Sequence, residues 1–119
     1  MTDTSVDVGQ QLASISDAAV GLLRDFTGRG ATQARTTLRD DTVLVMMSDT
    51  LTRAERSLID NGKADVVLEV RRVFQATMRN DLVTAVESRL YRKVIAFMSA
   101  NHVDPDLAVE IFVLERQGE

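Results

Sequence analysis

Apolar residues recur at steps of three and four from about Ser5 to Phe26, at Leu12, Ile15, Ala19, Leu22 and Phe26. That spacing puts them on one stripe of an amphipathic helix. Gly28-Arg29-Gly30 closes the helix, because glycine readily takes the left-handed conformation that ends helices. Arg35 to Leu38 and Thr42 to Met47 flank the Asp40-Asp41 turn and predict a β-hairpin. Thr52-Arg53-Ala54-Glu55 is a capping box, in which Thr52 and Glu55 satisfy each other's backbone donors. It starts a short helix that stops at Asn61-Gly62. Val67, Val70, Phe74, Met78, Leu82, Val86 and Leu90 then form a second long helical stripe. Asn80-Asp81 compete for backbone hydrogen bonds inside it and leave its continuity open. Lys93 to Met98, a polar connection from Ser99 to Asp106, and Leu107 to Glu115 predict a second hairpin.

The resulting order, α-β-β-α-α-β-β, segregates strands from helices. It predicts an α+β fold with a four-stranded antiparallel sheet and helices packed on it. A sheet with one wet face should alternate apolar and polar residues, yet Val43 to Met47, Val94 to Met98 and Ile111 to Leu114 are nearly continuous apolar runs. Both faces are therefore expected to be covered. Three helices are too few to cover four strands twice, so a second copy of the chain, forming a homodimer, or another partner is expected on part of the sheet. The competing expectation divides the helices between the two faces.

Length and composition narrow the class. A chain of 119 residues supports one core, so residues 1–119 read as a single domain with its core roughly over 10–115. Its 45% apolar and 27% charged residues are ordinary globular values. The longest apolar runs, Val43 to Met47 and the equally long Val94 to Met98, fall far short of the ~20 residues that cross a bilayer, so no direct membrane insertion is expected. The start, Met1-Thr2-Asp3-Thr4, lacks the basic and apolar segments of a secretory signal, which places the chain in the cytoplasm. Without cysteine, disulfides and thiolate chemistry are excluded. A net charge of −4, with twelve Arg and two Lys interspersed among acids, argues against a nucleic-acid partner.

Candidate chemistry is sparse. Asn101-His102-Val103-Asp104-Pro105-Asp106 holds the only histidine and the only proline. His102, Asp104 and Asp106 are metal-ligating or proton-transfer residue types, although Asn, Asp and Pro at this place also build a turn. Gly28-Arg29-Gly30 follows a helix, whereas phosphate loops precede one, so a helix stop is the reading preferred over a nucleotide site. Arg29, with Gly28, Gly30 and Arg35, remains a candidate for a partner or a small anion. With one histidine and no Gly-x-Ser-x-Gly elbow, no hydrolytic triad is legible. Asp40-Asp41 fit a turn better than a carboxylate pair in a cleft. Met46, Met47, Met78 and Met98 lie on apolar stretches and read as core gap-fillers. No cofactor is called for, and a non-enzymatic protein is expected.

Three segments together resemble a known family. Phe26-Thr27-Gly28-Arg29-Gly30-Ala31-Thr32-Gln33-Ala34-Arg35 is similar to its glycine-x-glycine signature. Leu51-Thr52-Arg53-Ala54-Glu55 is similar to its Leu-Thr-x-x-Glu segment. Val94-Ile95-Ala96-Phe97-Met98-Ser99 with the following Asn-His-x-Asp-Pro is similar to its C-terminal signature. This is the MpsC family of small bacterial proteins, and the likeness spans roughly residues 10 to 115. It implies an accessory protein of a system that generates membrane potential by moving cations, connected also with inorganic carbon uptake, whose transporting subunits are separate membrane proteins. It implies a place at the inner face of the cell membrane, held there through such a subunit. Ala31 stands where the family often has proline, which should loosen the loop. Tyr91 stands where it often has glycine, which should lengthen the preceding helix.

Overall fold

The computed structural model describes residues 4–117, so the expectation drawn from Met1-Thr2-Asp3 lies outside them. The elements are α1 (Thr4–Thr27), β1 (Gln33–Arg39), β2 (Thr42–Ser48), α2 (Arg53–Asp60), α3 (Ala64–Leu90), β3 (Val94–His102) and β4 (Leu107–Leu114). The strands form one antiparallel sheet in the order β1-β2-β4-β3. Two hairpins thus join through their second strands, which makes β2 and β4 the central pair.

Local chemistry explains the boundaries. Gly28 has φ +86° and its N–H donates to the Arg24 carbonyl at 2.8 Å, a left-handed cap that ends α1. Gly30 then runs against the helix it has left: a Cβ there would stand 2.8 Å from Val20 Cγ1. Both halves of the capping box form, with the Glu55 N–H donating to Thr52 Oγ1 at 3.1 Å and the Thr52 N–H to Glu55 Oε1 at 2.8 Å. The third helix is unbroken, because Asn80 and Asp81 face solvent while Met78 and Leu82 on either side are buried. It stops at Leu90, and Tyr91 follows at φ +56° as the left-handed cap, so tyrosine here does not lengthen the helix. β3 runs on to His102, and the expected connection shrinks to residues 103–106. Ser99 and Asn101 are tolerated in that strand because they hydrogen-bond Glu110 and Gln75.

The core lies between the sheet and the helices. Ile15, Ala19 and Leu23 of α1 and Met78, Leu82 and Val86 of α3 pack on Val43, Val45, Met47, Ala108, Phe112 and Leu114. A hydroxyl pair, Ser16 Oγ and Thr36 Oγ1 at 2.7 Å, ties α1 to β1 inside this layer. α2 packs on α3. One part of the expected α3 stripe is corrected. Val70 is exposed, and the next two buried positions after Val67 are Arg71 and Gln75, before the stripe resumes at Met78. They face inward because their partners are there: Arg71 Nε donates to Glu55 Oε2 at 2.7 Å, and Nη2 to Glu55 Oε1 at 2.6 Å and to the Thr50 carbonyl at 2.5 Å. Burial alone would raise the Glu55 carboxyl, but Arg71 and the Thr52 amide outweigh it and hold it below the usual range.

Two stability effects follow. Arg71→Ala leaves the Glu55 carboxylate buried without its partner and should cost about 3–5 kcal/mol in denaturant unfolding. Tyr91→Gly relieves a left-handed non-glycine residue and should raise stability by about 1 kcal/mol; a loss would show that the tyrosine ring contributes more than the backbone strain costs.

Candidate interaction surface

In β2 and β4 successive side chains go to opposite faces, and the helices cover only one of them. The other face is built in rows across the sheet. Arg35, Met46, Val109 and Ala100 stand side by side, as do Thr37, Leu44, Ile111 and Met98, and then Arg39, Thr42, Val113 and Ala96. Gln33, Ser48, Leu107 and His102 complete the face at the far end. Met46 is 38% exposed and Met98 51%, and Ile95, at the irregularity in β3, is 58% exposed. The apolar rows therefore lie open. Four strands of about seven residues at ~4.8 Å and ~3.4 Å spacing give a flat footprint of about 450 Å².

The expectation that the helices divide between the faces is overturned, since every core residue they contribute meets the same side. The methionines are also corrected. Met47 and Met78 are buried core, whereas Met46 and Met98 stand on the bare face. Charge on this face is confined to the β1 edge, as Arg35 and Arg39, and none of its residues is an acid. A hollow of ≈ 340 Å³ opens beside Met46, lined by Ala100, His102, Leu107 and Val109 among others.

The residues singled out in the sequence separate into three environments. Arg29 Nη2 pairs with Asp49 Oδ2 at 2.6 Å, and its Nε donates to the Asp49 carbonyl at 3.1 Å. Asp49 also pairs with Arg56 at 2.8 Å, and Arg56 reaches Asp106 Oδ2 at 2.9 Å. Burial works against the Asp49 charge, yet Arg29 and Arg56 hold its carboxyl below the usual range. Asp106 further accepts from Thr50 Oγ1 at 3.1 Å and from the Leu51 N–H at 3.0 Å. Arg29 and Asp106 are thus members of one loop-fastening network, shaped by Gly28 and Gly30. Arg35 stands apart on the bare face. His102 Nδ1 lies 2.8 Å from the Pro105 carbonyl, and Asp104 is exposed in the same turn. Among the described residues no three His, Asp or Glu side chains are grouped so as to hold a metal ion.

Sequence reading missed a polar set beneath the face. Glu110 points inward from β4 between the outward Val109 and Ile111, is 2% exposed, and accepts from Ser99 Oγ and from Gln75 Nε2, the latter at 3.2 Å. Gln75 and Asn101 exchange further hydrogen bonds at 2.8 and 3.2 Å. Burial pushes the Glu110 carboxyl up to about 7 despite these donors and the nearby Arg71 charge. The one sequence signal was an acid interrupting an apolar strand.

The fold and surface together define a two-layer α+β domain with one sheet face covered by helices and the other bare. The chain belongs to the MpsC family, described as "Na+-translocating membrane potential-generating system (MpsC)", which matches residues 7–116. No curated protein and no solved structure matches it. No helix among the described residues is long and apolar enough to cross a membrane.

The polar set gives a test. Between the ordinary 4.5 and about 7 the unfolded chain loses the Glu110 proton while the folded chain keeps it. Stability should therefore fall as pH rises through that window, by up to about 3 kcal/mol, and level off above it. Glu110→Gln should remove this contribution; an unchanged pH profile in urea unfolding would show that Glu110 titrates normally.

Proposed function

We propose that this protein is a non-catalytic accessory component of a Na+-translocating, membrane-potential-generating system, acting by protein–protein contact through the bare sheet face. The observation that carries this reading is the face itself: three rows of mainly apolar side chains with no acid among them and no helix over them. Family membership supplies the kind of system. The hydrogen bonds that Asp106 accepts from Thr50, the Leu51 amide and Arg56 favour a structural role for that carboxylate over acid–base catalysis. The membrane subunits of the system are the partners proposed, with the protein held by them at the cytoplasmic surface.

Affinity purification of the tagged chain from detergent-solubilised native cells, followed by mass spectrometry, tests this. The unmodified chain should enrich a polytopic cation-transporting subunit. Ile111→Glu, on the bare face, should lose it, while Leu58→Glu, on exposed α2, should keep it. Equal recovery with all three chains, or none with the unmodified one, contradicts the proposal.

A further inference from the structure

Two buried acids, Glu55 and Glu110, share a single buried cation, Arg71. With both acids ionised the set holds one uncompensated negative charge away from water, and with one of them protonated it is neutral. The hydrogen bonds say which acid takes the proton. Both Glu55 oxygens face donors only, the Arg71 guanidinium and the Thr52 amide. Glu110 Oε1 instead faces the Ser99 hydroxyl, which donates to an ionised carboxylate and accepts from a protonated one. We infer that this set is a proton-controlled latch: protonated Glu110 leaves Arg71 wholly to Glu55 and Thr50, and ionised Glu110 draws Arg71 away and loosens residues 49–60.

The surroundings of Glu110 leave Arg71 as the group that must answer its charge. β2 sets Val45 beside it and β3 sets Ser99. α3 presents Gln75 and, one helical turn earlier, Arg71, with Glu55 of α2 behind the guanidinium. Among the described residues Arg71 is the one charged group that acts on Glu110. One arm of Arg71 is loosely committed: Nη1 lies 3.4 Å from Thr50 Oγ1, whereas the Nε and Nη2 contacts are 2.5, 2.6 and 2.7 Å. The segment it would release is held at few points. Thr50 is gripped by Arg71 on the inside and by Asp106 on the outside, and Glu55 closes the capping box of α2. An eight-residue helix depends on such ties, because its own hydrogen bonds cannot sustain it. Burial pushes the Glu110 carboxyl up to about 7, which sets the latch to respond near neutral pH.

Hydrogen exchange of the full chain, read by mass spectrometry at about pH 6 and about pH 8 and divided by the intrinsic amide rate at each pH, tests the latch. Protection of residues 49–60 should fall about tenfold between the two, while β2 stays more protected than that segment at both. In Glu110→Gln, which cannot ionise, the fall should vanish. Equal protection of residues 49–60 and β2 would mean that only global unfolding responds, and it overturns the inference. So does a tenfold fall that persists in Glu110→Gln. A second variant tests the shared cation itself. Glu55→Gln leaves Arg71 with one acid, so the midpoint of Glu110 ionisation, read from its carboxyl-carbon resonance, should move to lower pH. A midpoint that stays in place or rises shows that the two acids do not compete for Arg71, and the latch is refuted.

Discussion

The whole arrangement depends on a two-residue period running along β2 and β4 while all helical cover lies on one side. Every inward residue of these strands joins the core with α1 and α3, and every outward one is left without a helix. A strand apolar on both sides belongs in a sheet covered on both sides. Here the helices of the chain supply that cover on one side only.

The inner layer is not purely apolar, and its polar members are arranged in sequence from surface to sheet. Thr50 and Glu55 fix Arg71, whose charge lies near Glu110, and Gln75 links Glu110 to Asn101. Arg71 and Gln75 occupy helix positions that a Leu or Met would fill in an all-apolar core. Such networks seldom add net stability, but each member is costly to remove alone. They fix one register of α3 on the sheet, and thereby the strand from which Val109 and Ile111 face outward.

Much of this was legible in the sequence, for reasons that can be traced. The capping box at Thr52, the glycine stop at Gly28 and the two hairpins are local signals, and each formed, the second hairpin with a longer first strand and a shorter connection than expected. The apolar strand runs fit a sheet whose outer face carries apolar rows, Met46, Leu44, Ile111 and Met98 among them, that no helix of the chain covers. What was not legible is long-range. Nothing local says that β4 inserts beside β2, or which of Met46 and Met47 faces the core, because a one-residue change of register exchanges them. Arg71 and Glu110 were unreadable for the same reason, since a buried charge is recognisable only once its partner's position is known. Arg29 and Asp106 looked like ligand residues in isolation and are largely occupied by Asp49, Arg56 and Thr50.

The central claim is that the outer face is covered in the working protein. Methionine oxidation by dilute peroxide, read residue by residue by mass spectrometry, tests it on the native chain. In the isolated chain Met46 and Met98 are 38% and 51% exposed, whereas Met47 and Met78 are each 2% exposed. Protection of Met46 and Met98 approaching that of Met47 and Met78 in the presence of the membrane fraction, absent in the isolated chain, is the predicted result. Rapid oxidation of Met46 and Met98 at every concentration, with and without the membrane fraction, would contradict the account.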